Sequence, residues 1–112
     1  MSNRTFISDE EVDRALDYLR DNADAAAKAR AERVYVEEYR KVIKAQLMQE
    51  HGMQSAVVQE RNAYADPRYA NHLLAIKEAV VADEKHRFLL EAARAKCDAW
   101  RTQCATERAM KL

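Results

Sequence analysis

Glycine and proline are almost absent from this chain: they occur once each among its 112 residues, as Gly52 and Pro67. A single glycine cannot form a glycine-rich phosphate-binding loop, which excludes that class of nucleotide site. The remainder is 34% charged and 48% apolar, a composition that is typical of long helices or coiled coils. Disordered chains lack such an apolar fraction. The sequence therefore predicts an all-α protein with a single helical domain over 1–112.

Net charge and long apolar runs are absent as well. The 19 lysines and arginines equal the 19 aspartates and glutamates, so neither nucleic acid nor a basic partner is the default ligand. No stretch approaches the about 18 apolar residues that a membrane span needs. Residues 1–11 also lack the apolar run of a signal peptide. We therefore expect a cytoplasmic protein with no membrane partner.

Cysteine is scarce too, and the two present are Cys97 and Cys104. On one helix, a separation of seven residues corresponds to a rise of about 10 Å. A disulfide needs α-carbons within roughly 7 Å, so the two cannot bridge within a straight helix. We expect reduced thiols, as is usual in the cytosol.

The first helix has a clear start at Ser8, which stands three residues before Glu11 in the pattern of a capping box. Apolar residues then recur at three- and four-residue spacing, and no glycine or proline intervenes before Gly52. This pattern predicts one helix over about 8–51, with Gly52 as its C-cap.

Two more helix starts follow. Ser55 is a suitable cap for a short helix over about 55–64. Asp66 before Pro67 is a strong start, because proline at the first helical position lacks only an N–H that would be unpaired there. The third helix is predicted over about 67–110. Two long helices with a short connecting helix predict a long antiparallel hairpin of coiled-coil type. The acidic start of the first helix and the basic end of the third favour this orientation.

The helix over 67–110 carries more apolar surface than one partner helix can cover. We therefore expect the chain to assemble as a homo-oligomer into a helical bundle. Its apolar residues form three stripes: Ala70, Leu74, Val81, Phe88, Ala92, Ala95 and Ala99; Tyr69, Leu73, Ile76 and Val80; and Leu89, Leu90, Ala93, Cys97, Trp100 and Cys104.

The segment "ADEKHRF", residues 82–88, concentrates titratable side chains in the third helix. Asp83 and His86 have the acidic-x-x-His spacing of di-metal bundle proteins, and Glu37 or Glu38 would lie roughly opposite. The surrounding positive charge disfavours a cation, however, so we expect no metal but a layer of ion pairs. The side chains expected to pair in it are Asp83, Glu84, Arg87, Arg30, Arg33 and Glu37.

No side-chain constellation indicates catalysis. Ser8 and Ser55 are expected caps, and Cys97 and Cys104 have no histidine three or four residues away. The sequence therefore predicts a non-enzymatic protein without catalytic residues or a cofactor.

Two surfaces are candidates for partner binding. Near the C-terminus, tryptophan among basic residues could stack on bases, although it could instead pack in the core while the arginines face the acidic start of the first helix. Near the start of the third helix, two tyrosines could form a binding hot spot, although such rings more often close the end of a bundle. The residues of these candidates are Tyr64, Tyr69, Trp100, Arg101, Arg108 and Lys111.

The segments "ALDYLRDNA", "QERNAYADPRY", "AVVADEKHRFLLEAARAKCDAWR" and "ERAMKL" resemble small helical proteins from the early regions of temperate phages and prophages. The resemblance implies an accessory in the host cytoplasm that binds and modulates a protein of host or phage nucleic-acid machinery. Inhibition of a host defence system is one such role. The alternative is a DNA-binding accessory of phage recombination. A metal-binding helical bundle is a minor alternative.

Overall fold

The computed structural model describes residues 6–111. This part of the chain forms four helices: α1 (Asp9–Asp21), α2 (Ala23–Gln49), α3 (Ala56–Ala65) and α4 (Pro67–Lys111). It is 90% helical and contains no strand. The all-α fold with a short helix between long helical segments is therefore confirmed.

Contacts divide the described residues into two compact units. The first unit combines the residues up to Ala26 with those from Lys85 onward, and the second unit is Ala27–Glu84.

In the first unit, α1 runs antiparallel to the end of α4. The backbone N–H of Ile7 donates to the side-chain carbonyl of Gln103 over 3.0 Å, and the Gln103 amide donates back to the Ile7 carbonyl over 2.9 Å. Further along α1, the carboxylate of Glu11 lies 3.9 Å from Lys96. As residue numbers rise on α1 they fall on α4, which confirms the antiparallel pairing for this unit.

The start of α1 has the predicted capping box. The Ser8 hydroxyl accepts a hydrogen bond from the backbone N–H of Glu11 over 3.2 Å, and the Glu11 carboxylate accepts from the backbone N–H of Ser8 over 3.5 Å. Asp9 and Glu10 add negative charge to the first turn, where the helix dipole is positive.

The sequence predicts one helix over 8–51, but the structure has an interruption at Asn22. This residue adopts φ −104° and ψ 4°, away from helical values, and ends α1. Its side-chain amide donates to the Tyr18 carbonyl over 3.0 Å. Asparagine side chains offer the backbone such local bonds and so compete with a regular helix, which explains why the helix is divided here.

In the second unit, α2 runs antiparallel to the start of α4, and α3 connects them. Arg33 of α2 lies 3.2 Å from Asp83, and Glu50 just past α2 lies 2.8 Å from Arg68. α2 ends at Gln49, earlier than predicted, and Gly52 does not have the positive φ of a helix-ending glycine. Instead, the amide of Gln59 on α3 closes the turn by donating to the carbonyls of His51 and Gln54.

The buried core is small in both units. Val12, Ala15 and Ala93 are buried in the first unit, and Val36, Leu47, Ala63 and Ala79 in the second. Alanine is the most frequent of these buried residues, because helices can approach closely only where the side chains between them are small. No large side chain of residues 6–111 is fully buried. Across the same range, no helix is long and apolar enough to cross a membrane.

Candidate interaction surfaces

The charged layer predicted around "ADEKHRF" centres on Arg33. Its guanidinium lies 2.9 Å from Glu37, 3.2 Å from Asp83 and 3.2 Å from Glu84. These hydrogen bonds raise the pKa of Arg33, and the bond with Glu37 has the largest effect. The predicted pairing of Arg33 with Asp83 and Glu84 is therefore confirmed. Because Arg33 ties α2 to α4 through these carboxylates, the layer fixes the helices of the second unit against each other.

His86, the other candidate metal ligand, is half-buried, and its Nδ1 atom has no hydrogen-bond partner. Arg87, the next residue, pairs with Glu91 over 3.1 Å. Within the described residues, no three His, Cys, Asp or Glu side chains are grouped so that they could hold a metal ion.

The aromatic and basic residues near the C-terminus differ in their contacts. Trp100 is half-buried, and its indole N–H donates to the Asp9 carboxylate over 3.2 Å. Arg101 lies 3.9 Å from Asp98 on its own helix, rather than from the acidic start of α1. Arg108 and Lys111 are exposed in the last turns of α4. Trp100 thus connects α4 to α1, as expected if it belongs to the packing of the first unit.

The two tyrosines near the start of α4 lie together in the second unit. Their ring centroids are 5.1 Å apart and the rings meet edge to face. Tyr64 remains 47% exposed, whereas Tyr69 is half-buried. The Lys44 ammonium lies over the Tyr64 ring, 4.9 Å from its centroid, in a cation–π contact.

These tyrosines line a cavity of about 290 Å³ together with three cations of α2. We call it the tyrosine pocket, and its residues are Arg40, Lys41, Lys44, Tyr64 and Tyr69. The α2 cations were not predicted as site residues. Their spacing in "YRKVIK" places them near one another on a helix, but the docking of α3 decides whether aromatic rings face them.

The apolar stripes predicted on α4 differ in how far they are covered. Ile76 and Val80 of the second stripe and Leu90 and Cys97 of the third are at least half-buried. The first stripe is uncovered throughout, since all seven of its residues are exposed: Ala70, Leu74, Val81, Phe88, Ala92, Ala95 and Ala99.

The uncovered stripe contains three large side chains. In the second unit, Leu74 is 57% exposed and Val81 is 61% exposed. With Lys77 and Glu78 they line a groove of about 330 Å³. In the first unit, Phe88 is 57% exposed. We call the surface formed by Leu74, Lys77, Glu78 and Val81 the outer face of α4.

Comparisons with protein-family models, with curated proteins and with solved structures found no match for this chain.

Proposed function

We propose that this chain is a non-enzymatic helical interaction protein, and that a second copy of the chain covers the outer face of α4. The observation that carries the proposal is the exposure of large apolar side chains at Leu74 and Val81. Exposed apolar residues scattered singly are normal in monomers, whereas a continuous row of them indicates a binding surface.

The spacing of the row suits a helical partner. Leu74 and Val81 lie seven residues apart on α4, within the second unit. Seven residues make almost two full helical turns, so the two side chains lie on one face of the helix. In a coiled coil they would occupy one of the two seam positions of each heptad, and the other position between them is charged, as Lys77 or Glu78. A second α4 presents the same row, so the apolar side chains of one copy would pack between those of the other.

The charges around Val81 favour a second copy as the occupant. Lys77 and Glu78 precede Val81 by four and three residues, and both line the groove with it. When two such helices pair in the parallel sense, Lys77 of one copy meets Glu78 of the other. Glu84, which follows Val81 on α4, is bonded to Arg33 of its own chain. The charges of the groove are therefore self-complementary in the parallel orientation.

The apolar row alone does not account for a micromolar dimer. Complete burial of a valine or leucine side chain contributes about 1.5–3 kcal/mol. Leu74 and Val81 of two copies therefore offset part of the association cost of about 4–15 kcal/mol. A micromolar dimer needs about 8 kcal/mol beyond that cost, so further contacts between the copies must contribute. Flanking ion pairs between exposed groups add little energy and chiefly set the register.

The wider role that we propose rests on the resemblance to phage early-region proteins. In that role the chain is an accessory that binds a protein of host or phage nucleic-acid machinery. Affinity capture from host lysate with the wild-type chain and with a variant altered on the outer face would show whether this same face binds such a protein.

Sedimentation equilibrium at micromolar concentration tests the self-association. We expect the wild type to have about twice the chain mass of 12.9 kDa. Val81→Glu should give the single-chain mass, because it puts a charge into the row. Val34→Glu is the matched control, since Val34 is 52% exposed on α2 and lies outside the row. A monomeric wild type, or equal dissociation by both variants, would contradict the proposal.

A further inference from the structure

We infer that the tyrosine pocket binds a nucleoside phosphate, either a free mononucleotide or one nucleotide of a single-stranded nucleic acid. The inference goes beyond the proposed self-association and depends on different residues, since the pocket lies on α2 and at the junction of α3 and α4.

The cationic side of the pocket has an available phosphate ligand in Arg40. This residue is exposed and has no carboxylate of another described residue within ion-pair distance. A guanidinium presents two parallel N–H groups that match two phosphate oxygens, which makes arginine a preferred phosphate ligand. Among the described residues, Arg40 therefore has no ion pair to lose when it binds an incoming anion.

The two lysines of the pocket are held by weak pairs that a phosphate can replace. Lys41 lies 3.1 Å from Glu38, and both side chains are largely exposed. Lys44 lies 3.5 Å from Glu60. A hydrogen bond with Tyr64, followed by the charge of Glu60, raises the pKa of Lys44, which keeps it cationic. Exposed ion pairs contribute little, so exchanging a carboxylate for a phosphate costs little.

The aromatic side of the pocket supplies a platform for a base. Stacking of a base on an aromatic side chain contributes about 1–3 kcal/mol and tolerates any base, because every base has a π-face. Tyr64 is nearly half exposed, and Tyr69 contacts it edge to face. Because the Lys44 ammonium lies over one face of the Tyr64 ring, a base would stack by displacing Lys44 or on the opposite face.

The size of the pocket limits the ligand to about one nucleotide. Its volume is about 290 Å³, and it has three cations. Duplex-binding surfaces commonly contact about 6–10 phosphates. Since the whole chain has no net positive charge, it has no default attraction for a long polyanion. A single nucleotide unit therefore suits the pocket better than duplex DNA.

Fluorescence anisotropy and calorimetry with the full chain test the inference. The probes are a fluorescein-labelled oligothymidylate of eight nucleotides, a labelled hairpin duplex with a stem of eight base pairs, AMP, and inorganic phosphate. Arg40→Ala should weaken binding of the oligonucleotide or of AMP about tenfold, as expected for the loss of one charge-assisted phosphate contact. Tyr64→Leu should weaken it by a similar factor, with circular dichroism to check folding. Arg30→Ala, an exposed arginine on α2 outside the pocket, should have no effect.

Each outcome decides the inference. Binding of AMP as tight as that of the oligonucleotide identifies a mononucleotide site, and tighter binding of the oligonucleotide identifies a single-strand site. In the single-strand case the logarithm of affinity should fall with the logarithm of salt concentration with a slope no steeper than about −2, given three cations. Absence of binding at millimolar concentrations overturns the inference. The inference is also overturned if inorganic phosphate binds as tightly as AMP, or if the duplex binds more tightly than the single strand. It is overturned as well if Arg30→Ala lowers the affinity as much as Arg40→Ala does.

Discussion

Asp66 shows how one residue can end a helix and begin the next. Its backbone N–H donates to the Ala63 carbonyl at the end of α3. Its carboxylate accepts from the backbone N–H of Arg68 over 2.8 Å and from the Arg68 guanidinium over 2.9 and 3.0 Å. Arg68 also pairs with Glu50 over 2.8 Å. The sequence predicts the cap from Asp66 and Pro67, but not the link to Glu50, because that contact depends on where α2 ends.

The stability of the protein should depend on the ionisation of Asp66. Hydrogen bonds from the Arg68 side chain and then from its backbone lower the pKa of Asp66 from 3.8 to about 2. A depressed folded-state pKa means that the contribution is present above about pH 4 and is lost as pH falls toward about 2. Urea denaturation from pH 5 to pH 2 should show a smaller loss of stability in Asp66→Asn, whose side chain does not titrate. Identical pH profiles for the two proteins would contradict this assignment.

Leu47 is the best buried large side chain among the described residues, with 3% of its surface exposed. Leu47→Ala should lower the free energy of unfolding by about 2–5 kcal/mol, because it removes apolar contacts and leaves a cavity. Val42→Ala on the same helix is the matched control, since Val42 is 42% exposed. Its effect should stay below about 1 kcal/mol. Equal effects in chemical denaturation would show that Leu47 is not a centre of packing.

At the scale of the helices, starts are easier to predict than interruptions. Ser8, Ser55 and Asp66 were predicted as N-caps from local chemistry, and all three cap in the structure. The sequence does not predict the end of α1 at Asn22, because asparagine is tolerated inside helices. Its side chain can form hydrogen bonds with several nearby backbone groups, and the bond to the Tyr18 carbonyl is one of these. Gly52 was expected to end α2, yet the helix ends at Gln49.

The two serine caps should differ in strength. Ser8 takes part in a reciprocal capping box, whereas, within residues 6–111, the Ser55 hydroxyl accepts a single hydrogen bond, from the backbone N–H of Val58 over 3.4 Å. Ser8→Ala should therefore destabilise the protein by about 1 kcal/mol and Ser55→Ala by about 0.5 kcal/mol. Hydrogen exchange should show faster opening of the first turn of α1 in Ser8→Ala. An equal or larger effect of Ser55→Ala would contradict the role of the capping box.

At the scale of the whole molecule, the sequence shows how much apolar surface α4 has but not which stripe stays uncovered. All three stripes satisfy the same helical spacing. The stripe of Leu74 and Val81 is exposed, whereas Ile76 and Ala93 of the others are at least partly covered. Which face points outward depends on how α2, α3 and α1 pack, and those contacts join residues far apart in sequence. The tyrosine pocket escaped prediction for the same reason.

Disulfide formation by Val81→Cys tests the self-association on the outer face most directly. If two copies pair with Val81 opposite Val81, the new thiols face each other across the interface, and a disulfide forms where the α-carbons lie within roughly 7 Å. We expect mild oxidation to produce a covalent dimer rapidly, with peptide mapping placing the bond between the two copies of residue 81. Val34→Cys should cross-link far more slowly. A variant that remains a single chain, or that cross-links no faster than Val34→Cys, would contradict the account.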